Sequence, residues 1–393
     1  MHTARIPLSL YVHIPWCVRK CPYCDFNSHE MRSPLPEVHY VDALIADLEK
    51  HARAVSKREI ISIFIGGGTP SLFSAGSIAR LLDAISCETT LAPQAEITIE
   101  ANPGTLDQQN FAGFRSAGVN RISIGVQSFD DIQLHALGRV HDACTAKEAV
   151  LAAREAGFEN INIDLMFALP NQTLVQARQD VEQAIALEPA HISYYQLTLE
   201  PNTRFYRHPP RLPGNELAWE IQQQGVHLLA QHGWQQYEVS AHAQDCSRCL
   251  HNLNYWQFGD YLGIGAGAHQ KISFDDFGVV RSAKPRNPQQ YMELALNTDY
   301  PAVSEQPLQP EELAFEYLLN ALRLKSGFTR QQFEQHTGIA FASHAPKLRK
   351  LCHENLLVMQ DDRVYCSETG YRFLDDLLQR LLPEQPTVTE RVL

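Results

Sequence analysis

The sequence predicts an α/β fold: an incomplete (β/α)6 barrel, an extended sheet elaboration and a C-terminal winged-helix-like module. Short β-rich runs alternate with amphipathic helical patterns over roughly the first half of the chain, and such strand–helix repeats imply a parallel sheet with crossover helices. Polar motifs directly follow several of the predicted strands, which is where barrels of this kind gather their chemistry. Helices around one small hairpin predict the winged-helix-like module.

The barrel elements follow from hydrophobic periodicity. A helix is predicted where Val41, Leu44 and Leu48 recur at helical spacing, and another where Ile78, Leu81 and Ile85 do so. The six predicted strands are 8–14, 60–65, 97–101, 121–126, 161–167 and 192–197.

The pattern changes after residue 213, so we divide the chain into a partial barrel (1–213), a sheet elaboration (214–300) and the C-terminal module (301–393). The elaboration is predicted as a helix, a strand and a loop-rich stretch, followed by a proline-rich linker. The bounds of these four parts are 216–232, 235–239, 245–274 and 285–310. In the last segment we expect a first helix around Tyr317, a hairpin of 357–359 with 364–366, and a final helix from about Tyr371.

Composition excludes several classes of protein. The chain has 33 Lys and Arg against 45 Asp and Glu, a net charge of −12, so we expect no nucleic-acid partner, because broad phosphate binding needs clustered cations. No apolar stretch is long enough to span a membrane, and no secretion signal is visible. The nine cysteines, three of them grouped, indicate a reducing, cytoplasmic location.

Three cysteines, Cys17, Cys21 and Cys24, follow the first predicted strand in the spacing C-x3-C-x2-C. Three thiolates can hold three irons of a [4Fe–4S] cluster and leave the fourth iron open. The amino and carboxylate groups of S-adenosylmethionine (SAM) could chelate that open iron. The alternative is a zinc site or plain buried thiols, but structural zinc needs four ligands, and no partner pair follows at zinc-finger distance.

Candidate ligand-binding groups end the next strands of the barrel. Gly66–Gly68 closes the second strand, and backbone without Cβ atoms can approach a ligand closely. Glu100, Gln127 and Asp164 end or lie within the following strands, where an unpaired polar group is costly. Each alone could simply bond the backbone, but polar groups on successive strands predict a shared polar ligand. Arg139 is either a carboxylate clamp or a solvated helix-end arginine.

A second group of candidates is the run His251-Asn252-Leu253-Asn254-Tyr255-Trp256, abbreviated HNxxYW. A neutral imidazole is a usual haem-iron ligand, and flat aromatic rings can pack against a porphyrin. On spacing alone, a turn histidine bonded to the backbone is the alternative. Cys246 and Cys249 lie just upstream but lack a fourth metal ligand, so we do not predict a second metal site.

Together, the cysteine motif with its flanking aromatics, the glycine turn and HNxxYW resemble the radical-SAM family of oxygen-independent coproporphyrinogen III oxidases. The chain is most similar to the haem-chaperone branch of that family. The oxidases carry a fourth cysteine where Phe26 stands here, and they have a longer extension before the first cysteine than the sixteen residues here. HNxxYW belongs to the chaperone branch, where it is associated with haem binding.

The resemblance implies roles residue by residue. The cluster ligands would be Cys17, Cys21 and Cys24. SAM would contact Tyr11, Tyr23, Gly67, Gly68, Thr69, Glu100, Gln127, Arg139, Asp164 and Thr198. In the oxidases these positions divide between two bound SAM molecules. Haem would be held by His251, Asn252, Tyr255 and Trp256, with His251 as the leading iron ligand.

We therefore expect a haem chaperone with an incomplete radical-SAM barrel that binds haem, a [4Fe–4S] cluster and SAM and transfers haem to acceptor haemoproteins, including those of the respiratory chain. The alternative is an anaerobic coproporphyrinogen III oxidase that starts an oxidative decarboxylation with a 5′-deoxyadenosyl radical. Both need the same three cysteines, while Phe26 and HNxxYW favour the chaperone. Oligomeric state is not readable from the sequence, and a homodimer is one open arrangement.

Overall fold

The computed structural model describes residues 6–55, 58–275, 278–297 and 305–383. The expected boundary between 300 and 301 lies outside the described residues, as does Pro301 of the predicted linker. The strands, numbered β1 to β17, are Leu8–Ile14, Trp16–Cys17, His29–Glu30, Glu59–Gly67, Thr90–Ala101, Arg121–Gln127, Asn160–Phe167, His191–Gln196, Gln235–Gln236, Ala241–Ala243, Asp260–Ile264, His269–Phe274, Gly278–Ala283, Gln306–Pro307, Phe328–Thr329, Leu357–Gln360 and Arg363–Cys366.

The α-helices, numbered α1 to α15, separate most of these strands. Their bounds are Glu37–Ala52, Ala75–Glu88, Thr105–Ser116, Asp131–Ala136, Ala143–Glu155, Leu174–Ala186, Arg204–Arg207, Asn215–Gln231, Leu250–Trp256, Pro288–Ala295, Pro310–Ala321, Arg330–Thr337, Ala345–His353, Glu368–Arg372 and Leu374–Leu381. Local sequence sets several of these starts: Ser74, Asp142 and Thr173 each accept a backbone N–H at the first turn of the helix that follows.

The centre of the fold is a run of six parallel strands in the order β1-β4-β5-β6-β7-β8, which confirms the predicted incomplete (β/α)6 barrel. Strand β6 is buried along its whole length, as expected for a parallel strand covered on both faces. The two outer strands of this run do not pair with each other, because β1 pairs instead with β11. The barrel is therefore open on one side.

The added strands extend the same sheet on both edges. Among the described residues, one sheet of twelve strands runs β14-β13-β12-β11-β1-β4-β5-β6-β7-β8-β10-β9. Strand β11 lies parallel to β1, with Leu8 opposite Asp260, whereas β12 and β13 continue in antiparallel order. The elaboration is thus a continuation of the barrel sheet.

The expectation of a loop-rich stretch over 245–274 and of a linker over 285–310 is wrong in detail. The first stretch contains α9, β11 and β12, and the second contains α10 and the short strand β14. The glycines that suggested loops instead allow close packing: a Cβ on Gly265 would lie 3.0 Å from the backbone nitrogen of His13. Pro288 stands at the first position of α10, where proline is tolerated because that N–H has no helical partner.

The C-terminal module has its own apolar core around Tyr317, Phe328 and Phe333, in which the Tyr317 ring meets the other two rings edge to face. Strands β15, β17 and β16 form a small separate sheet that contains the predicted hairpin. Phe258, which follows α9, belongs to the same core, so the module packs against the HNxxYW region. In the part of the chain that the structure describes, no helix is long and apolar enough to cross a membrane.

Candidate cofactor cavities

The three predicted cluster cysteines lie on one loop that leaves the end of β1. The start of this loop is fixed to the glycine turn after β4, since the Thr69 N–H donates to the Trp16 carbonyl (2.7 Å) and the Gly68 N–H donates to the Ile14 carbonyl (2.8 Å). The short strands β2 and β3 then pair in parallel and close the loop at its base. The loop is therefore anchored at the carboxyl end of the barrel strands.

A lysine and a serine hold the far side of the loop. The Lys20 Nζ donates to the carbonyls of Phe26 (3.0 Å) and Ser28 (3.1 Å), and the Cys24 Sγ lies 3.7 Å from the Ser28 Oγ. Burial raises the pKa of the Cys17 thiol to about 11. A thiolate at this position would need positive charge beside it, and bound iron supplies such charge.

The arrangement fits a cluster better than a single ion. Within the described residues, no group of three or more His, Cys, Asp or Glu side chains lies close enough to hold one metal ion. In a [4Fe–4S] cluster each thiolate binds a different iron, so its cysteines need not converge on one point. All three thiols are free and partly exposed to one cavity.

The turn at the end of β4 requires glycine at two positions, Gly67 and Gly68. Gly67 adopts a φ of 119°, a region that side chains disfavour, and a Cβ there would lie 2.6 Å from the His13 ring. A Cβ on Gly68 would run into the Trp16 backbone, at 2.9 Å from its nitrogen. Bare backbone therefore forms the cavity wall next to the cysteine loop, as a cradle for a closely bound ligand.

Two partly buried carboxyl groups, those of Glu100 and Asp164, line the same cavity. The Gly67 N–H donates to the Glu100 Oε2 (3.0 Å), and the Asn162 Nδ2 and Ser123 Oγ donate to the Asp164 carboxylate at 2.8 and 3.3 Å. Burial, with the nearby charge of Asp164, raises the pKa of Glu100 to about 7. Burial also raises the pKa of Asp164. Glu100 can therefore change its protonation state near neutral pH.

Arg139 is not a solvated helix-end arginine. Its Nη2 donates to the Asn102 Oδ1 (2.6 Å) and the Gly125 carbonyl (2.7 Å), and its Nη1 lies 3.6 Å from the Cys21 Sγ. The guanidinium thus links the fourth barrel strand to the cysteine loop and places a positive charge beside the Cys21 sulfur. That Arg139 clamps a carboxylate stays a prediction; in this structure its Nη2 is held by Asn102 and Gly125.

The remaining predicted SAM residues line the wall away from the glycine turn. Gln127 adopts a positive φ of 73° at the end of β6, and the Tyr195 hydroxyl donates to its Oε1 (2.6 Å). The Tyr23 ring packs 6.4 Å from that of Phe205, centroid to centroid, and Thr198 follows β8. These groups present both polar atoms and aromatic surface to the cavity.

Most of the predicted site comes together in one cavity of about 450 Å³, within the size range of ligand sites. We call it the cofactor cavity. It is lined by the three cysteines and by nine of the ten predicted SAM residues: Tyr23, Gly67, Gly68, Thr69, Glu100, Gln127, Arg139, Asp164 and Thr198.

The tenth predicted SAM residue, Tyr11, lines a neighbouring cavity of about 360 Å³, which we call the aromatic cavity. The two cavities have Phe26, Gly67 and Glu100 in common, so they adjoin at the cysteine loop. The residues around the aromatic cavity are Tyr11, His13, Phe26, Asn27, Gly67, Glu100, Tyr255, Tyr261, Gly267, His269 and Arg286.

His251 lies on helix α9, in the core rather than on a cavity wall. Its backbone N–H and that of Leu250 both donate to the Glu96 carboxylate (3.1 Å each), and its Nδ1 lies 3.1 Å from the Ser62 Oγ. Its Nε2 is buried without a hydrogen-bond partner. Burial, helped by Arg121, lowers the pKa of His251 to about 3, so the ring is neutral. In this arrangement Nε2 is not open to a haem iron.

The other HNxxYW residues are partly exposed. The Tyr255 ring packs against that of Tyr261, tilted by 31° with the centroids 4.2 Å apart, and lines the aromatic cavity. The Arg323 guanidinium of the C-terminal module lies 4.2 Å from the centre of the Trp256 ring. Asn252 and Trp256 do not line either cavity. Of the four predicted haem residues, Tyr255 is therefore the one that lines either of these two cavities.

Sequence reasoning missed the residues that join the cysteine loop to the added strands. The Asn27 Nδ2 donates to the carbonyls of Ala266 and Arg286 (2.9 Å each), and its own carbonyl lies 2.9 Å from the His13 Nε2. His269 and Arg286 were also missed. The position of Asn27 directly after the cysteine loop was the one available signal, since its partners are more than 200 residues away in the chain.

This fold and site define a class of protein: residues 11–184 match the family model of the Radical SAM superfamily. Residues 308–373 match the model of the HemN C-terminal domain. A solved structure titled as the coproporphyrinogen III oxidase HemN of Escherichia coli, a radical SAM enzyme, has a TM-score of 0.81 and covers 96% of this chain and 90% of its own. At 23% identity, that likeness shows the fold alone.

Relatives define the family more closely. Proteins named heme chaperone HemW from Haemophilus influenzae and Escherichia coli are 46% and 45% identical to the chain, over 96% of it and 99% of each relative. A protein of the same name from Bacillus subtilis is 34% identical over 92% of the chain and 96% of its own length. The chain belongs to the HemW family.

Proposed function

We propose that this protein is a haem chaperone, which binds haem together with a [4Fe–4S] cluster and SAM and passes haem to acceptor haemoproteins. The observation that carries the proposal is the near full-length identity, up to 46%, with proteins named heme chaperone HemW. The two adjoining cavities support it, because together they bring the three cysteines, bare glycine backbone and aromatic side chains into one region.

Cys17, Cys21 and Cys24 are the residues we propose to hold the cluster. The fit rests on three free thiols at one cavity mouth and on the Arg139 guanidinium beside Cys21. The bare backbone of Gly67 and Gly68 would face SAM. A cluster bound here would supply an open iron that the amino and carboxylate groups of SAM can chelate, and an electron when reduced.

The cluster proposal is tested by anaerobic reconstitution with iron and sulfide. We expect about four iron atoms per chain in the wild type, none in the triple Cys→Ala variant at 17, 21 and 24, and wild-type content in a matched triple variant at Cys87, Cys144 and Cys246. These three control thiols are exposed and lie outside both cavities. Full iron content in the first variant would overturn the proposal.

The chaperone proposal is tested by haem transfer. Haem-loaded protein is mixed with the apo form of a respiratory b-type haemoprotein, and the acceptor's absorbance band reports the transfer. We expect transfer faster than the passive haem release measured with a scavenger of free haem. Transfer no faster than passive release would contradict the chaperone function. We also propose that the acceptors include haemoproteins of the respiratory chain and that the protein is cytoplasmic. A homodimer is one open arrangement.

The rival activity, oxidation of coproporphyrinogen III, shares the fold. Phe26 favours the chaperone: it stands where the oxidases have a cysteine, and its side chain is 59% exposed between the two cavities. We expect no protoporphyrinogen when the reconstituted protein is incubated anaerobically with coproporphyrinogen III, SAM and reductant. Steady turnover in that assay would favour the rival.

A further inference from the structure

A chain of hydrogen bonds runs through the interior from the cofactor cavity to the start of α9. Asp164, at the cavity wall, accepts from the Asn162 Nδ2 (2.8 Å), and the Asn162 Oδ1 lies 2.6 Å from the His191 Nδ1. The His191 Nε2 lies 2.9 Å from the Tyr237 hydroxyl, which in turn accepts from the Cys249 N–H (3.3 Å). Because Cys249 immediately precedes α9, the chain connects the cavity wall with the helix that carries HNxxYW.

The hydrogen bonds of this chain all point the same way. Burial keeps the pKa of His191 well below its usual value, so the ring is neutral and carries one proton. The Asn162 Oδ1 can only accept, which places that proton on Nδ1. Nε2 then accepts from the Tyr237 hydroxyl, whose oxygen accepts from the Cys249 N–H. Each group thus donates toward Asp164, and hydrogen bonds aligned in this way strengthen one another.

Solvent cannot replace a partner along this chain. The residues that follow Asp164 in the chain are all buried. A buried donor or acceptor that loses its partner costs free energy, so a change at one end is passed on to the next group. Two serines fix the central amide in one orientation: the Asn162 Nδ2 also donates to the Ser123 Oγ (2.8 Å), and the Ser193 Oγ donates to the Asn162 Oδ1 (3.1 Å).

The first turn of α9 is held by groups outside the helix. The backbone N–H groups of Leu250 and His251 donate to the Glu96 carboxylate on β5 at 3.1 Å each, and the Cys249 N–H donates to Tyr237. The first N–H groups of a helix lack partners within it, so the order of this short helix depends on these contacts. The Tyr237 hydroxyl therefore belongs both to the support of α9 and to the chain that ends at the cofactor cavity.

We propose that His191 and Tyr237 are positioning residues, which transmit the binding of SAM in the cofactor cavity to the start of α9. A ligand group that bonds to Asp164 fixes the cavity end of the chain, and the aligned hydrogen bonds then hold the Cys249 N–H more firmly. The inference rests on the proposed function, because it requires SAM in this cavity, and it links that cofactor to the HNxxYW helix. By linkage, ordering of α9 strengthens SAM binding by the same factor.

Amide hydrogen exchange of the anaerobically reconstituted protein, measured with and without SAM, tests the chain. In the wild type we expect SAM to slow exchange at the amides of Cys249, Leu250 and His251 about fivefold, which is the lower end of coupling between two sites. Tyr237→Phe removes the hydroxyl and keeps the ring, so exchange should be faster from the outset and SAM should leave it unchanged. A merely structural role of Tyr237 would speed exchange equally with and without SAM and keep the ratio of the wild type.

Two further variants separate the chain from the rest of the core. His191→Phe cuts the chain at a second point while the Tyr237 hydroxyl still contacts the Cys249 N–H, so the SAM effect on α9 should be lost there too. The matched control is Tyr194→Phe on β8, which removes a buried hydroxyl that donates to the Ile221 carbonyl (3.4 Å) and should keep the SAM effect of the wild type. Iron content and bound SAM are measured in every sample.

The outcomes distinguish this inference from the proposed function. Bound SAM without slower exchange in α9 of the wild type would overturn the inference and leave the proposed function standing. An equal SAM effect in the wild type, Tyr237→Phe and His191→Phe would overturn it as well, because the link would not run through these residues. A reconstituted wild type that binds no SAM would overturn the SAM part of the proposed function and this inference with it.

Discussion

Asp260 shows how a single residue joins the added strands to the barrel. It is fully buried and has two cationic partners: the Arg58 Nη1 lies 2.7 Å from one of its oxygens, and the Lys271 Nζ lies 2.8 Å from the other. The backbone N–H and the hydroxyl of Ser273 donate to it as well. Burial by itself would raise the pKa of Asp260, but the charges of Lys271 and Arg58 outweigh burial and lower it.

Asp260→Asn should destabilise the protein by about 3–5 kcal/mol, since it leaves two buried cations without their counter-charge. The control is Asp42→Asn, which removes an exposed ion pair with Arg80 and should cost about 0–1 kcal/mol. Urea unfolding of the two variants and the wild type measures the difference. Equal losses in both variants would refute the anchoring role of Asp260.

The comparison of the wild type with Asp260→Asn also predicts how the free energy of unfolding depends on pH. Because the folded-state pKa of Asp260 is lowered, its contribution is present above the unfolded-state pKa of about 3.9 and is lost as pH falls through the folded-state pKa. The stability difference between wild type and Asp260→Asn should therefore be constant near neutral pH and shrink below pH about 4. A gap that widens on acidification would contradict this sign.

At the scale of elements, the turn after β4 decides where the cysteine loop begins. Its backbone donates to the Ile14 and Trp16 carbonyls on either side of the end of β1. Gly68 has no room for a side chain, because a Cβ would meet the Trp16 backbone next to Cys17. The position of the first cluster ligand therefore depends on a residue that bears no ligand atom.

Gly68→Ala should lower stability by about 1–3 kcal/mol, typical of overpacking, and reduce the iron bound after reconstitution. Gly76→Ala on α2 is the matched control: its Cβ would meet nothing closer than the Ser74 Oγ at 4.0 Å, so we expect a gain of about 0.5–1 kcal/mol. Thermal unfolding and iron analysis measure both effects. Wild-type iron content in Gly68→Ala would contradict the dependence.

Local sequence patterns were enough to predict the strands of the barrel and the cysteines that follow its first strand. Strand β1 spans Leu8–Ile14 as predicted, because apolar residues at every second position, from Leu8 to Ile14, mark it as a strand. The same reasoning missed β11, since the glycines at 263 and 265 suggested a loop although they permit close packing beside β1. Pairing between strands some 250 residues apart leaves no local periodicity.

The candidate site was predictable only in part for the same reason. Polar residues on three successive barrel strands, Glu100, Gln127 and Asp164, do meet in one cavity. His251 was predicted from its motif. Its hydrogen-bond partners, Glu96 and Ser62, lie on barrel strands far away in the chain, so the spacing within the motif cannot show that the histidine is buried. Whether His251 ligates haem stays a prediction, which haem titration of the His251→Ala variant tests.

At the scale of the whole molecule, the C-terminal module covers the helix that carries HNxxYW. Arg323 of the module pairs with the buried Glu238 at 3.2 Å and lies over the Trp256 ring. The apolar core of the module includes Phe258, directly beyond α9. A change that weakens the contact of the C-terminal module with α9 is therefore expected to lower the local stability of α9.

Arg323→Gln should speed amide hydrogen exchange across α9 by about tenfold, which corresponds to about 1.4 kcal/mol of lost local stability. Arg380→Gln, which breaks an exposed pair with Glu354 inside the module, is the control and should leave exchange in α9 unchanged. Mass spectrometry of the peptides that cover 250–256 gives the measurement. Equal exchange in both variants would show that the module does not stabilise α9.

The measurement that tests the central claim most directly is a ferric haem titration of the anaerobically reconstituted protein, with cluster absorbance and bound SAM measured in the same sample. We predict saturation at one haem per chain while the cluster and SAM stay bound, because the two cavities adjoin without being the same space. Displacement of SAM by haem, or no saturation at all, would contradict a chaperone that holds its cargo beside its cofactors.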